Sequence, residues 1–274
     1  MSQVVRWLVP RVLTWSGVRP AFRAALGRWR MPYLVAINYH WTPEESAGAL
    51  DRQLACLERT VTTLDHAGLD AFFAGTSRLE NPGLLITFDD GNRNTYDVAT
   101  PLLERRGMKG WFFVVAGTLD PAMTGPIVGI NRRFCMGATE LRDLHARGHV
   151  IGCQTYSHVK LGPSSRAPLE HELVRSKAVI EDAIGAPVDS FCYPYGTSDG
   201  YSQTAHRIAS AQYAYIFNSC PTIVRPSSSK HAIGRHDVAP DMDASLFRLK
   251  SSGLLICKYR KRVRHDRDVC RDAS

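Results

Sequence analysis

Residues 84–94 read LLITFDDGNRN, and how this stretch is read decides the fold. Five strand-forming residues run straight into two adjacent carboxylates and a glycine, so the chain delivers Asp89 and Asp90 to the end of a strand and then turns sharply. An acidic pair in such a turn commonly caps the next helix. Whether it does more depends on what the rest of the chain brings beside it.

Working outward, short apolar runs alternate with amphipathic stretches. The runs LVAINY (34–39), LLITF (84–88), GWFFVV (110–115), HVIGC (149–153), SFCYP (190–194), YAYIF (213–217) and HAIGRHDV (231–238) predict strands. Between them, 49–68, 96–107 and 138–148 carry helical periodicity, each ending near a glycine. Strand and helix alternating in this way predict a mostly parallel sheet, and about seven strands predict a barrel rather than an open sheet. Trp111, Phe112, Phe113, Tyr213, Tyr215 and Phe217 alternate as strand residues do and are assigned to the core. The Gly- and Pro-containing loop 117–137 is the longest irregular insertion and is expected to border any site.

A chain of 274 residues, 44% hydrophobic, suffices for one large core. Its net charge of +8 is concentrated at the ends: residues 1–31 hold six arginines and no acid, and 258–274 hold seven Lys/Arg against three Asp. Removing those contributions of +6 and +4 leaves −2 for the body. That distribution suits an anionic membrane surface near the termini and excludes a nucleic-acid groove through the body. The expected organisation is a basic extension over 1–32, a barrel over 33–250 and a basic tail over 251–274. Pro10, Arg11, Arg19 and Pro20 cut the apolar runs of the extension short of a signal core or a membrane span. Seven cysteines, scattered singly and without a CxxC pair, argue for a reducing compartment and against a thiolate metal site. A cytoplasmic protein resting on the inner membrane surface is the expectation.

The chemistry-bearing residues crowd towards strand C-terminal ends, the face on which barrels build active sites. His40 follows the first run, Asp89 and Asp90 the second, Gln154 and His158 the fourth and Tyr195 the fifth, while His236 falls in the seventh. Adjacent carboxylates can divide labour, one held as a ligand while the other stays free as a base. In QTYSH, a helical turn would bring Gln154 and His158 to one centre. Asp and His with open positions form the pattern of a hydrolytic metal site. The chain has no GxSxG or phosphate-loop pattern, so nucleophilic-serine and nucleotide chemistry find no support.

TFDDG (87–91), GMKGWFFVV (107–115), GHVIGCQTYSHVKL (148–161) and FCYPYG (191–196) follow one another in an order that resembles the polysaccharide deacetylases, the NodB-homology domain of carbohydrate esterase family four, over roughly 33–240. Tyr39–His40 resembles the YH of members that act on exopolysaccharide. The resemblance implies an α/β fold, a distorted (β/α) barrel of seven parallel strands, and hydrolytic N-deacetylation of a polysaccharide or lipid-linked glycan. It casts Asp89 as general base, Asp90 and His158 as ligands of a divalent ion (zinc, or else cobalt or manganese), and the Tyr195 backbone N–H as oxyanion donor. Two positions depart from the pattern. Gln154 stands where the first metal histidine belongs, and its neutral amide oxygen is a poorer ligand than imidazole, so the ion should be weakly held. Cys192 stands where many members place an arginine beside the base. For the general acid His236 is the first candidate and His40 the second; the competing reading of the 231–238 segment has Arg235 pairing instead with an acid at the barrel mouth. A catalytically silent glycan-binding barrel, or a hydrolase of another acyl group such as a formyl amide or an ester, is the competing expectation.

Overall fold

The structure is a computed structural model that describes residues 32–163, 168–197 and 200–255. The basic extension over 1–31, the tail beyond 255, Cys257 and Cys270 lie outside the described residues. Seven parallel strands close a barrel: β1 (Leu34–Tyr39), β3 (Gly83–Phe88), β4 (Trp111–Val114), β5 (Val150–Cys153), β6 (Ser190–Cys192), β7 (Tyr215–Asn218) and β8 (Ile233–Asp237). β1 pairs with β3 on one side and with β8 on the other, which completes the ring. All seven predicted runs become strands.

A two-residue strand, β2 (Thr62–Thr63), lies against the start of β3. It interrupts the long helix read over 49–68, which divides into α1 (Ala47–Glu58) and α2 (His66–Phe73). The cause is local. Thr60, Val61, Thr62 and Thr63 form a β-branched run that resists helix, and the Asp65 side chain then accepts the Gly68 N–H to start a new one. The remaining helices are α3 (Thr100–Glu104), entered through a wide turn at Thr95–Ala99, then α4 (Ala138–Ala146), α5 (Ser176–Ile184), α6 (Gln203–Gln212) and α7 (Ala244–Ser251).

Side-chain alternation along the strands divides the core in two. Ile37, Tyr39, Leu84, Ile86, Phe88, Phe112, Val114, Ile151 and Phe191 face outward and pack under the helices. Leu34, Ala36, Leu85, Trp111, Phe113, Tyr215, Phe217 and Ile233 face inward and fill the lower barrel. Gly152 on β5 makes room for this packing, since a Cβ there would sit 2.5 Å from the Phe113 ring. Above the apolar layers the inward positions change character, to Asn38, Thr87, Asp89, Cys192 and Arg235, all buried. Such polar groups are tolerated inside a barrel only when they satisfy one another.

Candidate active site

The opening stretch ends as its sequence requires. β3 carries Asp89 into the barrel mouth, and Asp90 and Gly91 both take left-handed backbone (φ 70° and 66°) to make the turn. Asp90, Thr155, His158 and Tyr195 are the four non-glycine residues with positive φ among those described, and they come from three separate loops at this one mouth. Each costs on the order of 1–3 kcal/mol, so the surrounding contacts must hold them.

Asp89 is 3% exposed and fully engaged. Arg235 donates from Nη1 to Oδ1 at 2.7 Å and from Nη2 to Oδ2 at 2.8 Å, and Asn38 donates to Oδ2 at 2.9 Å. Arg235 also reaches the Thr87 hydroxyl at 3.0 Å and the Cys192 sulfur at 2.7 Å. Burial by itself would raise the Asp89 pKa, but the guanidinium reverses the effect and holds it below the usual carboxylate value. Cys192 leaves Asp89 without an arginine from β6, and β8 supplies one instead. Strand parity is the signal: Arg235 pairs in register with Ala36, which faces inward two residues before Asn38.

The second carboxylate is placed differently. Asp90 Oδ1 is buried without a hydrogen-bond partner and lies 3.3 Å from His158 Nε2. His158 Nδ1 lies 2.7 Å from the carbonyl of Val128, in the 117–137 loop, which fixes Nδ1 as a donor and turns Nε2 towards Asp90; burial opposes a charge on the ring, but the Asp90 carboxylate outweighs it and raises the imidazole pKa. An orphaned carboxylate oxygen opposite an oriented imidazole is a donor pair that fits a divalent cation. The loop borders the site as expected: Asn92 bridges to Cys135, and Met136 donates to the Gly91 carbonyl.

The QTYSH segment does not form the helical turn that its spacing suggested. Thr155 and His158 break it with left-handed backbone, yet Gln154 and His158 still meet, Nε2 to Nε2, at 3.4 Å. Gln154 Oε1 accepts the Asp90 backbone N–H at 2.7 Å. That bond settles which way the amide faces, because an N–H needs the oxygen. The oxygen is spent bracing the acidic turn, and the amide nitrogen, a donor, faces His158. As placed, Gln154 turns its oxygen to the Asp90 N–H and its amide nitrogen, rather than a lone pair, to His158.

The two candidate acids separate. His236 lies on the opposite face of β8 from Arg235, paired in register with outward-facing Ile37, and is completely buried outside the barrel mouth. Burial pushes its pKa down to about 4, which keeps it neutral. His40 stands at the mouth, 3.8 Å from Asp89 Oδ2 through Nε2 and 3.2 Å from Asp237 Oδ1 through Nδ1. Burial opposes its charge, but the Asp237 hydrogen bond and the nearby carboxylates raise it to about 9.

Tyr195 projects from the turn after β6, its ring 5.2 Å from that of His158. Trp41 and Phe134 meet edge to face at 6.3 Å on the rim, and with Tyr195 they are the exposed aromatics of this face, each close to half exposed. The sequence reading missed the Trp41–Phe134 pair, because nothing in local pattern joins residues so far apart in the chain.

Comparisons with known proteins follow this geometry. A family model described as polysaccharide deacetylase matches residues 76–216. The Bacillus subtilis (strain 168) protein YxkH, provisionally named a polysaccharide deacetylase, is 23% identical over 164 residues, which make up 60% of this chain and 54% of that protein. The chain thus spans about half the length of this relative. Two solved structures superimpose with TM-scores of 0.66. The Streptococcus pyogenes deacetylase PplD, in complex with acetate, is 18% identical and covers 81% of this chain and 99% of its own. IcaB from Ammonifex degensii is 24% identical and covers 80% of this chain and 97% of its own. At these identities the superpositions speak for the fold.

Proposed function

The chain belongs to the polysaccharide deacetylase family, and on that premise we propose that it hydrolyses the N-acetyl group of a sugar residue in a polysaccharide or a lipid-linked glycan precursor. The observation that carries this reading is the division of labour between the two aspartates. Asp89 is buried, ionised and fixed by Arg235, while Asp90 Oδ1 is left facing His158 Nε2.

Asp89, clamped but still charged, removes a proton from the attacking water. A divalent cation, zinc foremost with cobalt or manganese as alternatives, would be held by Asp90 and His158 and would supply Lewis-acid polarisation of the acyl carbonyl. The Tyr195 backbone N–H donates to the oxygen that becomes negative. His40, oriented by Asp237, gives a proton to the departing amine. The water oxygen bonds to the acyl carbon, the C–N bond breaks, and acetate and a free sugar amine leave. Trp41, Phe134 and Tyr195 offer aromatic faces to neighbouring sugar rings.

One observation favours a second reading. Gln154 presents a donor where a ligand would serve, and this suits a glycan-binding barrel without turnover. Acetate release from a panel of N-acetylated oligosaccharides and lipid-linked sugars separates the two, and the same panel with formyl and O-acyl analogues tests a different acyl group. Release from none of them overturns the enzyme reading.

The proposed division into a barrel over 33–250 flanked by basic segments carries a proposed place of action, the cytoplasmic face of a membrane. No helix among the described residues is long and apolar enough to cross one. Six arginines near an anionic surface contribute on the order of 1 kcal/mol each, enough for reversible attachment. Flotation of the full chain and of one lacking 1–31 with anionic liposomes tests it. Equal binding by both removes the extension from the account.

A further inference from the structure

The His158 loop is held from behind by a residue that no motif singles out. Glu172 lies in the wide turn His171–Arg175 that leads into α5, and it is 3% exposed. Its Oε2 accepts the backbone N–H groups of Tyr156 and Ser157, each at 2.9 Å, and its Oε1 accepts the Ser157 hydroxyl at 2.6 Å. The carbonyls of the same two residues point the other way, accepting from Gly117 N and Val128 N. The peptide unit joining Tyr156 to Ser157 is therefore fixed on both sides, by the Glu172 carboxylate at its N–H and by Gly117 at its carbonyl, and the units before and after it are held by Glu172 at the Tyr156 N–H and by Val128 at the Ser157 carbonyl.

This clamp spans the part of the loop that would otherwise relax. Thr155 and His158, which flank it, both hold left-handed backbone, and Thr155 is β-branched, the residue type that least tolerates it. The Thr155 hydroxyl accepts the His158 N–H at 3.0 Å, so the two strained residues depend on each other. We infer that Glu172 is a positioning residue: by holding Tyr156 and Ser157 it keeps the His158 imidazole facing Asp90. The inference rests on the proposed role of His158 as a cation-holding residue. A shift of about 1 Å in such a group costs on the order of 100-fold in rate.

The experiment compares wild type, Glu172→Ala, Glu172→Gln and Val179→Ala, the last loosening α5 at a buried site away from the loop. Amide exchange over residues 154–158, zinc affinity by calorimetry, melting temperature, and kcat and KM on an N-acetylated oligosaccharide are read on each. For Glu172→Ala the expected result is faster exchange confined to 154–158, zinc bound at least about tenfold more weakly, and kcat lower by about 100-fold with KM nearly unchanged. Glu172→Gln retains an acceptor for both N–H groups and should recover most of each loss. Val179→Ala should lower melting temperature and leave zinc affinity unmoved. Wild-type exchange in this segment for Glu172→Ala, or loss of zinc affinity in Val179→Ala as large as in Glu172→Ala, overturns the inference. If no variant, wild type included, releases acetate, the proposed activity fails, and exchange over 154–158 still decides the role of Glu172.

Discussion

Arg235 grips Asp89 with both terminal nitrogens, at 2.7 and 2.8 Å, across 146 residues of chain and past the intervening strand β1. β1 takes part, since Asn38 donates to Asp89 through Nδ2 and accepts from Arg235 through Oδ1 at 3.2 Å. A planar guanidinium suits this because it matches a carboxylate edge to edge, and no lysine can do the same.

Asp89→Asn should therefore lower turnover by about two to four orders of magnitude and leave bound zinc unchanged. Arg235→Met should behave differently, stranding a buried carboxylate and costing about 3–5 kcal/mol of stability. Steady-state kinetics, elemental analysis and denaturant titration read the three quantities. Loss of zinc in Asp89→Asn would mean that the two aspartates exchange roles.

Gln154 provides the second test. With its oxygen committed to the Asp90 N–H, it should contribute nothing to cation affinity, so a chelator should strip the protein by dialysis and zinc, cobalt or manganese should restore activity. Gln154→His should tighten zinc at least about tenfold by adding an imidazole ligand. A Gln154→Ala variant that binds zinc much more weakly than wild type, with its fold intact, would show that the amide is a ligand after all. Undiminished activity after verified metal removal would sink the metal-assisted mechanism.

The pH dependence should report His40. Held protonated by Asp237 up to about pH 9, it can donate a proton across the neutral range, and kcat should fall as pH rises through that value. Asp237→Asn removes the hydrogen-bonded carboxylate and should move the alkaline limb to lower pH. An unmoved limb assigns it to another group.

At the opposite end of the barrel, His66 is bound to Asp189 and lies 3.1 Å from Asp70, which ties α2 to the start of β6. The Asp189 hydrogen bond is the leading cause of a raised His66 pKa, partly offset by burial. A group whose pKa is raised by folding contributes stability that is fully present below its unfolded value of about 6.5 and is lost as pH rises through the folded value. Melting temperature should accordingly decline as pH rises above about 6.5, and His66→Gln should flatten that decline. An identical alkaline decline in the variant would refute the assignment.

How much of this was legible in the sequence follows from range. Seven strands could be read because each is a run of apolar residues whose burial is decided locally, and the mouth was legible because strand ends are. The helix over 49–68 was misread where a short β-branched run outweighed a continuous apolar period. Asp90 and His158 were placed by their strand ends, but no propensity rule foretells that Thr155 and His158 adopt left-handed backbone, because long-range contacts hold them there. Arg235 and His236 are adjacent, and deciding which of them faces inward needs the pairing register with β1, which only the closed barrel supplies. Glu172 carries no local signal at all; its meaning lies in two backbone N–H groups that the chain brings to it from another loop.

The aromatic packing beneath the site has a consequence for traffic. Trp111, Phe113, Tyr215 and Phe217 fill the barrel below Asp89, so the pocket is blind. Among the described residues the open end of the barrel is the mouth rimmed by Trp41, Phe134 and Tyr195, the entrance a substrate would use under the proposed activity. If the proposed activity holds, acetate released at the bottom would have to pass a glycan lying across the entrance. The polymer cannot thread through the barrel. On the proposed activity it would instead lie along the rim and lower one acetylated residue at a time into a dead end, so each turnover would finish with the doorway being cleared.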